Sequence, residues 1–331
     1  MSRNTLRKLI PLAMLCLLGA MFSILSDKFL TLKNVLEILR DASVVGIVGI
    51  GLTYVILTSG IDLSTGSIMA LSGMVMANIY VYTLWPIWVM IVAGVAVGAL
   101  CGLVNGLVVA RLKLPEFIAT LATMGIFRSL NYAISIRNAN GVIQSQAMKS
   151  AQFTVLGKSI NGVFYVIIVF LALGAIGQIV LKRTRFGTNL YAVGSNSKGA
   201  LLSGVNISRV RIGAYVATGL LSGIGAVFTT ARLQSTNVLL GNSFNFDPIA
   251  AAVVGGCALS GGSGDVVGTM IGAVFMAALE NGVLKLSTGT AYQYIVKGVV
   301  LIIVVIFDAW YVQFITRRSR KRRELGGGEA K

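Results

Sequence analysis

The sequence predicts an all-α fold, a polytopic membrane helical bundle of about ten segments, and three observations carry that prediction. Of 331 residues, 56% are hydrophobic and only 12% are charged, whereas soluble domains carry roughly 25% charged residues. The mean hydropathy is +0.84, and the apolar residues gather in runs long enough to cross about 30 Å of hydrocarbon, which takes roughly 20 residues as helix. Gly is abundant at 39 and Pro rare at 4, which excludes a low-complexity or disordered chain. Residues 1–331 therefore read as one integral-membrane domain.

The runs lie near 9–25, 43–59, 67–84, 87–110, 116–135, 161–181, 212–231, 265–284 and 290–308. A shorter run near 249–261 has to be tilted, re-entrant or buried among other helices. The first run follows a basic N-terminus as a signal peptide would. No A-x-A-like cleavage site follows it, so it reads as a retained helix. Before the second run, Leu32, Val35, Leu36 and Leu39 alternate with Lys33, Asn34, Glu37 and Arg40. That spacing predicts an amphipathic helix on the outer interface. In the fourth run Gly94, Gly98, Gly102 and Gly106 recur every four residues; Gly219 with Gly223, and Gly268 with Gly272, repeat the spacing. Small residues so placed let helix backbones approach closely in lipid, which predicts a packing seam rather than a ligand surface.

An even number of spans puts both termini on one side, and charge chooses it. With the N-terminus inside, the inside segments hold eighteen basic residues. Arg3, Arg7, Lys8, Arg111, Lys113 and the seven of the basic tail at 309–331 are among them. The outside segments hold eight, including Lys28, Arg137 and Arg232. The excess predicts that both termini lie in the cytoplasm. It also explains the net charge of +17 without nucleic acid, because the basic residues fill gaps between apolar runs.

Catalytic chemistry is missing. With no His, the usual general base and commonest metal ligand are gone. Cys16, Cys101 and Cys257 stand singly in apolar stretches and read as packing residues. Gly157-Lys158-Ser159 mimics the end of a phosphate-binding loop, but Gln152 stands where that motif needs Gly. Neither a catalytic set nor a bound cofactor or metal is expected, and any ATP chemistry belongs to another polypeptide.

Ionisable groups in or beside the spans are few: Asp62, Glu116, Arg128, Asp247, Asp265, Glu280, Lys297 and Asp308. Each needs a partner or a wet environment. Asp62, Ser64 and Thr65 lie in a polar interruption, Gly60–Gly66. It reads either as a cap on the third segment or as backbone opened towards a pathway, and one residue can serve both. A second interruption, Leu259–Asp265 with Ser260, precedes another span and hints at a duplicated architecture. Glu280 reads as the one deep carboxylate, with Lys297 on the neighbouring segment as its partner. Tyr54, Asn78, Tyr80, Asn105 and Thr123 are polar groups of the spans, expected to hydrogen-bond helix to helix. The polar stretch 182–211 carries Phe186, Leu190, Tyr191, Val193, Leu201, Leu202 and Val205 among its charges, which suits a short helix docking into a partner groove.

Several motifs in order now resemble one family. They are FLTLKNVLEILRDAS (29–43), TYVILTSGIDLSTGSIMAL (53–71), NGLVVARLKLPEFIATLATM (105–124), TRFGTNLYAVGSNSKGALLSGVNISRVRI (184–212), AAVVGGCALSGGSGDVVGT (251–269) and YQYIVKGVVLIIVVIFD (292–308). Together, over nearly the whole chain, they resemble the permease subunits of bacterial ABC importers for ribose, xylose and related monosaccharides. The resemblance implies about ten helices per subunit and a second permease subunit, either a second copy or a paralogue. It also implies a cytoplasmic ATPase that uses ATP and Mg, and a periplasmic sugar-binding protein. It makes 184–212 the loop that meets the ATPase, with Arg185, Phe186, Gly187, Asn196, Leu202, Ser203 and Gly204 as coupling positions, and Phe186, Leu202 and Val205 as the docking contact. Where the family usually shows an acidic residue, two Ala and an Arg, this chain has Lys198, Gly199, Ala200 and Leu201, which implies a particular ATPase partner. The rival function is a cation-coupled secondary transporter of a small neutral solute, which needs a titratable carboxylate near the bilayer midplane.

Overall fold

The computed structural model describes residues 3–83, 85–286, 292–293, 295–300, 302–303 and 306, with the side chains of 3–10 left aside. The basic tail at 309–331 lies outside the described residues. Among the described residues up to 286 the α-helices are, in order, α1 (Arg3–Leu25), α2 (Leu32–Leu57), α3 (Thr65–Tyr82), α4 (Ile87–Leu112), α5 (Glu116–Ala133), α6 (Ala151–Thr154), α7 (Tyr165–Arg183), α8 (Arg185–Ser195), α9 (Ser197–Leu202), α10 (Ile207–Leu233), α11 (Asp247–Val254) and α12 (Val266–Lys285). The described residues of 295–300 are helical too. Strands β1 (Gln146–Ala147), β2 (Ser159–Ile160), β3 (Val163–Phe164) and β4 (Ser235–Thr236) form two small antiparallel pairs, β1 with β4 and β2 with β3. The fold is an all-α membrane bundle. By length and composition α4, α7, α10 and α12 can each cross a membrane, and α1 carries a shorter apolar stretch, Pro11–Leu25.

The centre of the bundle is α2 and α10. Every residue of α2 from Ala42 to Leu57 is buried, and α10 packs on α4, α2 and α3. The glycine ladder makes the closest approach. A Cβ on Gly98 would stand 3.0 Å from Gly223 Cα, one on Gly106 2.8 Å from Ile212 Cα, and one on Gly223 2.9 Å from Val95 Cα. The seam is therefore α4 backbone on α10 backbone, as the spacing predicts. Gly268 and Gly272 do the same for α12 against α11.

Two expectations change. The interfacial helix before the second span is not separate, because α2 runs unbroken from Leu32 to Leu57. No Gly or Pro interrupts it before Gly46, and the Thr31 side chain caps its start. Its buried face is Asn34, Ile38 and Ala42, while Leu32 is 76% exposed. Asn34 turns inward because its amide donates to Phe29 O at 2.8 Å and to Asn281 Oδ1 at 2.8 Å. Secondly, 232–248 is not simply an outer segment. After β4 the chain runs back along α3, with Leu240 and Thr236 beside Gly73 and Gly241 against Gly66. The short run becomes α11, buried at every position but Ile249.

Candidate functional site

The first interruption is a hydrogen-bonded knot sealed from solvent. Asp62, Ser64, Thr65 and Asn105 are each 0% exposed. Asp62 Oδ1 accepts from Ser64 N at 2.9 Å and from Ser64 Oγ at 2.7 Å. Asn105 Nδ2 donates to Ser64 Oγ at 2.7 Å and reaches Asp62 Oδ2 at 3.4 Å. The short turn is Asp62's own work, since Asp readily bonds backbone two residues on. Asn105 lies seven positions before the end of α4, so the knot sits about 10 Å inside that helix end at 1.5 Å per residue. The re-entrant segment closes it from the other side: Thr65 Oγ1 donates to Phe244 O at 2.6 Å, and Gly66 N donates to Asn245 Oδ1 at 3.1 Å.

The second interruption caps α12 through Asp265, whose Oδ1 accepts from Gly268 N at 2.7 Å. Its turn is built on positive-φ glycines, Gly261, Gly262 and Gly264. Ser260 contributes its carbonyl, which accepts from Ser59 Oγ at 2.9 Å. Gly262 N donates to Leu57 O at 3.0 Å. The second interruption therefore meets the end of α2 just ahead of the first, and α8 lies on that junction. A Cβ on Gly262 would fall 2.9 Å from Ser195 N, and one on Gly194 2.5 Å from Gly262 N. Lys182 Nζ donates to Tyr191 OH at 2.7 Å, and that hydroxyl donates to Gly264 O at 2.7 Å. Burial, aided by Asp265, pushes the Tyr191 phenol above its ordinary range, which keeps its proton in place.

The segment 184–206 is two short capped helices rather than one. Thr184 accepts from Gly187 N at 3.3 Å, Asn196 Oδ1 from Gly199 N at 3.0 Å, and Asn206 Oδ1 from Arg209 N at 3.0 Å. The seven positions named from the resemblance divide by direction. Phe186 turns inward, edge-on to Tyr54 with ring centroids 5.9 Å apart, and Gly187 is buried against Leu181. Arg185, Asn196, Ser203 and Gly204 face solvent. Leu202 is 89% and Leu201 61% exposed. Two adjacent leucines held out on a short helix form an apolar tip that no described residue covers.

Polar span residues mostly tie helices together. Tyr54 OH donates to Gly177 O at 2.8 Å, and Asn78 Nδ2 to Ile134 O at 3.0 Å. Thr123 bonds within its own helix, to Thr120 O at 3.2 Å. Glu280 does pair with Lys297, but the lysine also holds Asp247 at 3.0 Å. Glu280 is thus not the only deep carboxylate, since Asp62 is sealed and Asp247 is 8% exposed. Both stand among the ionisable groups of the spans, but the sequence pattern does not show their depth, because each lies beside a break rather than within an apolar run. Arg128 finds the partner that its place in a span requires in the re-entrant segment, donating to Val238 O at 2.7 Å and Leu240 O at 3.1 Å. Among the described residues no cluster of His, Cys, Asp or Glu could hold a metal ion.

The sequence that builds these broken helices and the solvent-facing pair of short helices matches a known family over most of its length. A family described as branched-chain amino acid transport system / permease component matches residues 34–305. The chain belongs to that permease family. Among relatives, the ribose import permease protein RbsC of Bacillus subtilis is 38% identical over 92% of this chain and 94% of its own. The fructose import permease protein FrcC of Rhizobium meliloti is 37% identical, covering 91% and 85%. The xylose transport system permease protein XylH of Escherichia coli is 31% identical over 85% and 86%. As a permease, this chain is a multi-pass membrane protein and a transport component rather than an enzyme.

Proposed function

We propose that this permease is the membrane-spanning subunit of an ATP-driven importer of a monosaccharide or similar small polyol. A periplasmic binding protein delivers the sugar, and a cytoplasmic ATPase subunit uses ATP and Mg. Two permease subunits, identical or paralogous, form the pathway in the inner membrane, with both termini in the cytoplasm. The observation that carries the reading is the outward apolar tip of α9, joined through α8 to the end of α2 and to the second interruption. ATP-driven closure of the partner moves that tip and, through the α8 junction, shifts the bundle between outward and inward access. Sugar selects between these states only by its differential affinity for them. Relatives named for ribose, fructose and xylose support the substrate class.

The test is uptake of D-ribose, D-fructose or D-xylose into proteoliposomes holding the permease and binding protein, with and without the ATPase. Uptake that needs ATPase and ATP is expected. Uptake driven by a cation gradient without the ATPase would establish the secondary transporter instead. A reporter fused at Lys331 is expected to be active only in its cytoplasmic form, and periplasmic activity overturns the orientation.

A further inference from the structure

A cavity of about 300 Å³ opens at the foot of the re-entrant segment, lined by Asn242, Ser243, Phe246, Asp247, Met276 and Lys297 among others. Met276 stands ten residues into the twenty-residue α12. At 1.5 Å per residue that is about 15 Å along a helix of about 30 Å, half-way through the bundle. Irregular backbone at that depth persists only where protein or a watered cavity satisfies it. Here Arg128 and Asn131 hold the segment's carbonyls from α5.

The lining suits one chemistry. Lys297 Nζ donates to Asp247 at 3.0 and 3.2 Å and shares a second ion pair with Glu280. The charges are thus committed to one another, which leaves no bare charge to demand an ionic ligand. Asn242 is exposed, and its side-chain amide is engaged by no described residue, so it offers both a donor and an acceptor. Phe246, 56% exposed, presents an aromatic ring beside it. A hydroxyl-bearing ring with an apolar C–H face needs that combination: donors and acceptors along one edge and a hydrophobic plate for the face. Volume agrees, because small-molecule pockets begin at about 300 Å³.

We propose that this cavity is a monosaccharide subsite of the permease, in which Asn242 and the Asp247–Lys297 pair bind hydroxyls and Phe246 packs against the sugar ring. The proposal rests on the import reading above and adds where within the chain the sugar pauses. Binding there is weak by design, because a site on a transport path must release what it holds.

The full permease in phospholipid nanodiscs is examined by saturation-transfer NMR with D-ribose, D-fructose and D-xylose, which detects weak binding. Transfer to ring C–H protons of at least one sugar is expected, falling at least about threefold in Asn242→Ala and in Phe246→Ala. Phe246→Trp restores it, which a merely misfolded protein would not do. Absence of transfer from wild type, as a lipid chain filling the cavity would give, overturns the subsite. So does transfer unchanged in both alanine variants, or loss that Phe246→Trp fails to rescue. Failure of the subsite is separable from failure of the import reading: wild-type protein that still imports a sugar with ATP, yet shows none of this transfer, has lost only the subsite.

Discussion

The α4–α10 seam and the junction beneath α8 are both made of glycine, yet glycine does opposite work in them. In the seam Gly98, Gly102, Gly219 and Gly223 are helical, and their missing side chains let two backbones touch. In the junction Gly261 (φ 83°), Gly262 (φ 68°) and Gly264 (φ 141°) supply turns that side-chain-bearing residues resist, and Ser59 joins them at φ 68°. The seam is held by long rows of close atom contacts, whereas the junction is held by a few hydrogen bonds between irregular segments. Contacts of the first kind have one arrangement; contacts of the second kind can be exchanged. On the proposed mechanism, the seam is the part expected to stay rigid while the junction is repositioned.

The largest effect is expected in the seam. Gly98→Leu or Gly102→Leu places a side chain where backbone already stands, and backbone has no rotamer with which to yield. The penalty lies at or beyond the upper end of the about 1–3 kcal/mol that overpacking costs. The variants should give little monodisperse membrane protein although their hydropathy rises. Yield and uptake equal to wild type would show that this face meets lipid, and the contrast with the junction would collapse.

Much of this was legible in the sequence, for physical reasons that can be named. Apolar runs located α1, α3, α4, α5, α7, α10 and α12, since a bilayer demands length and hydrophobicity that composition displays directly. The glycine ladder located the seam, because a four-residue repeat fixes one helix face. The polar break before α12 was recognisable from the apolar run that follows it, but that Asp265 caps the helix is seen only in the structure. The return of 234–246 into the bundle was not legible. Its polar residues look like any exposed loop, and what holds it inside the bundle includes Arg128, Asn131, Thr65 and Gly66, over a hundred positions away. Likewise the inward turn of Phe186 depends on Tyr54 and Gly213, which no local pattern contains.

A smaller and more selective effect is expected at the end of α9. Gly204 has φ 81°, and a Cβ there would meet nothing within 4 Å. Space is therefore no obstacle, but the left-handed backbone costs a bulky residue about 1–2 kcal/mol. Gly204 N donates to Leu201 O and Val205 N to Ala200 O, each at 3.0 Å, so this turn fixes where the Leu201–Leu202 tip points. Gly204→Leu should insert normally and extract as monodisperse protein, yet lose transport about tenfold or more together with binding-protein stimulation of ATP hydrolysis. Gly204→Asn, which tolerates the left-handed region, should retain most of both. If Gly204→Leu transports and responds like wild type, the tip does not carry the coupling.

The smallest effect sharpens the comparison most, because it leaves every packed surface in place. Tyr191→Phe removes one hydroxyl from the junction, the atom that joins Lys182 to Gly264 O. The ring and its burial remain, so the loss is that of one or two hydrogen bonds, about 1–2 kcal/mol and well within what the fold tolerates. If α8 moves the second interruption through this contact, the variant should still insert, bind its ATPase and hydrolyse ATP. Each ATP should then move less sugar, with the sugar-to-ATP ratio falling about twofold to tenfold as that much contact energy is lost. A structural role alone would lower thermal stability without touching the ratio. The ratio of sugar imported to ATP consumed, in proteoliposomes matched for permease content, therefore decides it. An unchanged ratio would mean that the remaining bonds, Gly262 N to Leu57 O and Ser59 Oγ to Ser260 O, hold the junction rigid without Tyr191. The junction would then behave like the seam, and the movable element would have to lie elsewhere in the bundle.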